Sequence, residues 1–203
     1  MLRRIPRTLL PCALAAAALL GCFGGGAAPE YFTLASGAGG AAGPALASRP
    51  DLGLAVGPLD APSYLDRPEL ATRDGANRLV YWDDHRWGGS LRADALRVLA
   101  DDLGRLLGTA RIAVYPDAAS FPVDYRVRVE LLEFEGVPGQ AVTLRARWTV
   151  AAGSDRKALA VEASQIEAPT ASASFEDLVA AQSAALGQLT REIAEKIASL
   201  PAR

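Results

Sequence analysis

One histidine, His85, and two cysteines, Cys12 and Cys22, are present in 203 residues. A single imidazole excludes every metal or catalytic arrangement that needs two. The run Asp83-Asp84-His85 could offer metal ligands, but adjacent residues on an extended or turning chain point in different directions. It reads instead as two surface carboxylates and a histidine near Trp87. A serine hydrolase using His85 as base would lack its Gly-x-Ser-x-Gly elbow. A phosphate loop is missing as well, since Gly24-Gly25-Gly26 is followed by no Gly-Lys-Ser/Thr. No basic cluster offsets the formal charge of −2, which excludes a strongly basic nucleic-acid binder. No catalytic, metal or cofactor residues are assigned, and the chain reads as a non-enzyme.

The N-terminal apolar run from Thr8 to Leu20 falls short of the roughly 20 residues a membrane-spanning helix needs, and it contains Pro11. Arg3, Arg4 and Arg7 precede it and Leu19-Leu20-Gly21-Cys22 closes it, the pattern of a lipoprotein signal (residues 1–21). Cleavage before Cys22 gives that residue both a thiol and an amine for acylation, and each buried methylene adds about 0.8 kcal/mol of membrane affinity. Cys12 is the poorer candidate because Pro11 precedes it; an ordinary secretory signal with an incidental cysteine is the competing reading. Phe23, not aspartate, follows Cys22, which under the Gram-negative sorting rule directs the protein to the outer membrane. Cleavage leaves 182 residues, moves the formal charge to −5 and leaves no free thiol and no disulfide. Stability then rests on the core of one domain able to bury about 70% of its extended surface.

Residues 22–50 are mostly Gly, Ala, Ser and Pro and read as an acylated N-terminus and tether, interrupted by a short edge strand at 31–34. The folded domain is expected over 51–203. Leu52, Leu54 and Val56 alternate with small or polar residues up to Gly57-Pro58, and Pro62 and Pro68 make the segment between them a rigid extended corner. Asp74-Gly75-Ala76-Asn77 joins a hairpin, after which Asp83 to Trp87 leads into a helix capped by Ser90 and stopped by Gly108. Strands follow at Ile112–Tyr115, Val123–Leu131, Val142–Val150 and Lys157–Gln165, the last three as an antiparallel meander. Ser174, with Asp177 completing a capping box, opens a final helix that Pro201 ends. The expected architecture is α+β: a mostly antiparallel sheet with two amphipathic helices on one face, in the order ββββ-α-ββββ-α.

Several of these segments together resemble a known family. Tyr31-Phe32-Thr33-Leu34, Val56-Gly57-Pro58, Tyr64-Leu65-Asp66-Arg67-Pro68, Arg73, His85-Arg86-Trp87, Tyr115-Pro116 and Asp124-Tyr125-Arg126-Val127 are similar to those of the ABC-type transport auxiliary lipoproteins, in particular the PqiC-like branch. The resemblance implies a non-enzymatic subunit of an MCE-type lipid transport system, partnered by an MCE-domain (PqiB-like) protein and held at the outer membrane by its lipid anchor. A ring-shaped partner implies a homo-oligomer, with a ring as one arrangement. Tyr64, Asp66 and Arg67, with Arg86 and Trp87, are candidate partner contacts. The competing reading is that Asp66 and Arg67 brace the corner, Tyr64 and Leu65 enter the core, and Arg86-Trp87 staples the start of the helix.

Overall fold

The computed structural model describes residues 28–201, so the signal segment 1–21 and Cys22 lie outside the described residues. In chain order the elements are β1 (Glu30–Phe32), β2 (Leu54–Asp60), β3 (Glu69–Asp74), β4 (Arg78–Trp87), α1 (Leu91–Leu107), β5 (Ile112–Val114), β6 (Tyr125–Gly136), β7 (Ala141–Ala152), β8 (Ala158–Pro169) and α2 (Phe175–Ser199). This is the expected α+β order.

Strict alternation in the long strands decides which face meets the helices. Val127, Val129 and Leu131 of β6 and Leu144, Ala146, Trp148 and Val150 of β7 are buried, and they share one core with Leu99 and Leu103 of α1 and Leu186, Leu189 and Ile193 of α2. Each such leucine contributes about 1.5–3 kcal/mol by leaving water. The long ladders are antiparallel: β6 pairs β7 from Tyr125↔Ala152 to Gly136↔Val142, and β7 pairs β8 from Ala141↔Pro169 to Ala151↔Ala158. The rest of the sheet is mixed. β3 and β4 form the expected hairpin, while β2 lies between β5 and β6 and runs parallel to both.

The helix ends follow their caps. Ser90 Oγ accepts the Ala93 N–H and Gly108, at φ +62°, closes α1 through the left-handed region. Ser174 Oγ accepts the Asp177 N–H at 3.1 Å, but the Ser174 N–H donates to Ser172 Oγ at 3.1 Å, so only half of the expected capping box forms.

Three expectations are corrected. Asp83 to Trp87 does precede the Ser90-capped helix, but it is the second half of β4 and not a lead-in outside the sheet, because β1 pairs along it with Glu30↔His85, Tyr31↔Arg86 and Phe32↔Trp87 in register. β2 does not stop at Gly57-Pro58 but runs on to Asp60, since a register shift between Val56 and Leu59 takes the donor-less proline out of the ladder.

The third correction concerns the tether. Residues 34–50 form a strap across both helices, with Leu34 and Ala41 2% and 0% exposed. Small residues let its backbone approach: a Cβ on Gly187 of α2 would lie 1.9 Å from the Ala38 carbonyl oxygen. Helix side chains then take up its amides, Leu34 N–H on Asp94 Oδ2 (2.6 Å), Ala35 N–H on Ser183 Oγ (3.1 Å) and Gly37 N–H on Asp102 Oδ1 (2.7 Å). A composition too poor in large side chains to build a core is ordered here through its backbone.

Candidate functional site

The corner between β2 and β3 is built from proline-fixed turns. Leu65 N–H donates to Pro62 O and Asp66 N–H to Ser63 O, while Trp87 N–H reaches Pro68 O at 2.8 Å and ties the corner to the end of β4. Leu65 is 4% exposed and enters the core.

Beneath the corner sits a buried charge that sequence reasoning missed. Glu135, past the β6 bulge and 1% exposed, accepts the Tyr64 hydroxyl (3.0 Å) and the Phe134 N–H (2.9 Å) on Oε2, and Arg73 Nε (2.9 Å) and Nη2 on Oε1. Charge-assisted, forked pairing of this kind is what makes a buried carboxylate tolerable. The hydrogen bond to Glu135 raises the Arg73 guanidinium above its ordinary value, and burial, then the charge of Glu135, pushes the Tyr64 phenol well above its own. Tyr64 is therefore a fixed donor at neutral pH. Local periodicity gives no signal for Glu135, because the bulge between Leu131 and Glu133 shifts the alternation.

An outer layer covers this base. Glu69 accepts from Arg67 Nε (3.3 Å) on one oxygen and from Arg86 Nη2 (3.2 Å) on the other, and the Arg67 guanidinium lies 4.4 Å from the centre of the Tyr81 ring. Asp66 accepts the Ser90 hydroxyl at 3.3 Å, with Arg92 at 3.9 Å. The structure thus brings Tyr64, Asp66, Arg67 and Arg86 to one corner, where Asp66 and Arg67 brace it and remain exposed. Trp87 is 6% exposed and lies in the core at the end of β4, with Gly88 and Gly89 between it and the Ser90 cap.

His85 belongs to a neighbouring cluster. Its Nδ1 lies 2.8 Å from Asp84 Oδ1 and its Nε2 3.7 Å from Glu30, while its ring stacks on Phe175 (centroids 3.9 Å apart) with Trp82 edge-on at 6.2 Å. The hydrogen bond to His85 holds the Asp84 carboxyl below its ordinary value. The arrangement joins β1, β4 and the start of α2.

The model of the family described as ABC-type transport auxiliary lipoprotein component matches residues 32–194, a span that takes in strap, corner and nearly all of both helices. The chain belongs to this family. Among solved structures, this auxiliary lipoprotein is similar to a Xanthomonas campestris protein of family DUF330, at 19% identity and TM-score 0.67, with 83% of this chain and 94% of that one covered. A second, an uncharacterised protein, is 15% identical with TM-score 0.64 over 84% and 99% of the two chains. Both show the fold. A PelC dodecamer from Paraburkholderia phytofirmans is a more distant neighbour, at 15% identity and TM-score 0.39 over 73% and 89%. No curated protein matches this sequence. Among the described residues of this auxiliary lipoprotein, no helix is long and apolar enough to cross a membrane.

Proposed function

We propose that this auxiliary lipoprotein is a non-catalytic subunit of an MCE-type intermembrane lipid transport system. Acylated Cys22 fixes it to the periplasmic face of the outer membrane, where it receives the channel of an MCE-domain (PqiB-like) protein. The observation that carries this reading is the family match over residues 32–194. Pairing of β1 with β4 supports it further by keeping the leash short: only residues 23–29 separate Cys22 from β1, a reach of at most about 25 Å at roughly 3.3–3.6 Å per residue. The β1 end of the domain is thereby kept close to the bilayer. The corner offers the partner an exposed Asp66–Arg67 rim on a rigid, ion-paired base, the kind of preformed surface that costs little to dock. The outer edge of β8 carries no partner strand among the described residues and is a natural place for copies to meet in a homo-oligomer.

The test is a pull-down of the full acylated chain in mild detergent, with mass spectrometry of partners and lipids. An MCE-domain protein should co-purify, Arg67→Glu should lower its recovery, and Cys22→Ser should release the chain from the membrane. Recovery of bound lipid without any MCE-domain protein overturns the reading in favour of a stand-alone lipid-binding or outer-membrane assembly lipoprotein.

A further inference from the structure

The face of the sheet turned away from the helices carries a recess of about 430 Å³ whose lining includes Arg126, Arg128 and Arg156 together with Pro58, Tyr115 and Thr149, and no carboxylate. On a chain of net negative charge this is a local reversal of sign. Arg128 is neutralised by Asp60 at 2.7 Å. Arg126 spends only its Nε, on the Gly153 carbonyl at 3.3 Å, and among the described residues neither Arg126 nor Arg156 has an ion-pair partner. Two guanidinium groups with donors to spare therefore share one concave site.

Arg156 adds a second observation. It holds φ +58°, in the left-handed region where glycine is cheaper, and among the described residues it is the one non-glycine residue to do so. A long cation stands where the β7–β8 turn would more easily take a glycine, and its position puts that cation on the recess. Next to the recess, across the shared residues Pro58 and Tyr115, a second hollow of about 510 Å³ is lined by Leu59, Ala93 and Leu96 and also by Asp60, Ser90 and Arg92. Tyr115 itself is 58% exposed. A cationic recess thus opens directly onto a hollow that is apolar in part, at Leu59, Ala93 and Leu96.

We propose that the arginine recess is a phosphate-binding site, with any apolar portion of the ligand passing over Tyr115 into the neighbouring hollow. Planar guanidinium forks match phosphate oxygens in geometry and charge, which favours phosphate over a neutral ligand. The phosphate could be carried by a phospholipid headgroup or be free in solution. The inference stands independently of the partner and of the anchor argued above, so failure of either leaves the other testable.

The experiment uses the full chain as isolated from its native source in a non-ionic maltoside detergent, with thermal melting and calorimetric titration against four probes: dioctanoyl phosphatidic acid, inorganic phosphate, dioctanoylglycerol and hexaglutamate. Both phosphate probes should raise the melting temperature and the neutral glyceride should not. Tighter binding of phosphatidic acid than of inorganic phosphate identifies the headgroup as the source; equal binding identifies free phosphate. Arg126→Gln/Arg156→Gln should weaken binding by about tenfold per guanidinium removed, while Arg145→Gln/Arg147→Gln on the same sheet face should leave it unchanged. Arg156→Gly guards against a folding artefact, since it relieves the left-handed backbone and should bind more weakly without melting earlier. Wild-type affinity in the Arg126/Arg156 variants, an equal response to dioctanoylglycerol, or tighter binding of hexaglutamate than of either phosphate probe would overturn the proposal.

Discussion

The strap of residues 34–50 and the corner of residues 61–68 both cross the surface largely without regular secondary structure, yet different atoms hold them. The corner is fastened by its own side chains: Tyr64 on Glu135, Arg67 on Glu69 and Tyr81, Leu65 in the core. The strap has few side chains to offer, and the helices supply the anchors instead, with Asp94, Asp102 and Ser183 accepting its amides and Gly187 leaving room for its backbone. Order in an irregular segment can thus be written in the segment or in the surface that receives it. The corner should be broken by truncating one of a few of its partners, and the strap by adding a single carbon to the helix beneath.

The largest effect is expected from Arg73→Ala, which leaves Glu135 as a buried carboxylate without its guanidinium. Removing one partner of such a pair costs about 3–5 kcal/mol. Thermal melting should fall by roughly 6–20 °C at about 2–4 °C per kcal/mol, and hydrogen exchange should quicken first at the Leu65 and Asp66 amides. Melting within a degree of wild type would mean that the corner does not depend on this charge. Gly187→Ala is the strap's counterpart. Its Cβ would meet the Ala38 carbonyl oxygen at 1.9 Å, so the strap must shift at a cost of about 1–3 kcal/mol. Faster exchange is expected at Leu34 and Gly37 with the corner amides unchanged, and loss of protection at both places would erase the distinction.

This difference also explains what could be read from the sequence. Helix α1 was legible because Ser90, the apolar stripe from Leu91 to Leu107 and Gly108 all agree, and β6 and β7 because their alternation is strict. β2 was legible as a strand, but its place between β5 and β6 was not, since parallel pairing of distant segments leaves no mark in local periodicity. Asp83 to Trp87 misled because β1, far away in the chain, decides its conformation. The strap misled most, because composition reports what a segment can bury and is silent on acceptors carried by Asp94 and Asp102. At the candidate site, Tyr64, Asp66, Arg67 and Arg86 were found from proline spacing and family resemblance. Glu135, which takes Tyr64 and Arg73 beneath them, was hidden behind a bulge.

A smaller effect separates two residues of the corner's base. Tyr64→Phe removes one hydrogen bond to a buried carboxylate while Arg73 and the Phe134 amide remain, so a loss of about 1.5 kcal/mol is expected. The pH dependence carries the signature. The Tyr64 phenol is raised in the folded protein, so its contribution is complete below the ordinary tyrosine value near 10 and is lost as pH rises beyond it. Chemical denaturation at pH 8 and pH 11 should show the difference between wild type and Tyr64→Phe shrinking at the higher pH. A constant difference would place the phenol outside the Glu135 cluster.

The smallest effect tests one of the strap's three helix-borne acceptors. Asp102 is 1% exposed; one oxygen accepts the Gly37 N–H with Arg105 at 3.7 Å, and the other has no hydrogen-bond partner among the described residues. Burial pushes its carboxyl above the ordinary value near 3.9, with the Gly37 amide and Arg105 pulling the other way. The folded state therefore binds this proton more tightly than the unfolded one. Stability from this group is full below about pH 3.9 and falls as pH rises through the higher folded value. Asp102→Asn keeps an oxygen for Gly37 and cannot ionise, so its stability at pH 7 should lie within about 1 kcal/mol of wild type, and wild type should lose ground to it between pH 4 and pH 7. That window is separate from the one above pH 10 where Tyr64 acts, so a single pair of pH series distinguishes the strap from the corner. A wild-type-minus-Asn difference that stays flat from pH 4 to pH 7 would show that the strap rests on an acceptor whose charge the fold does not feel.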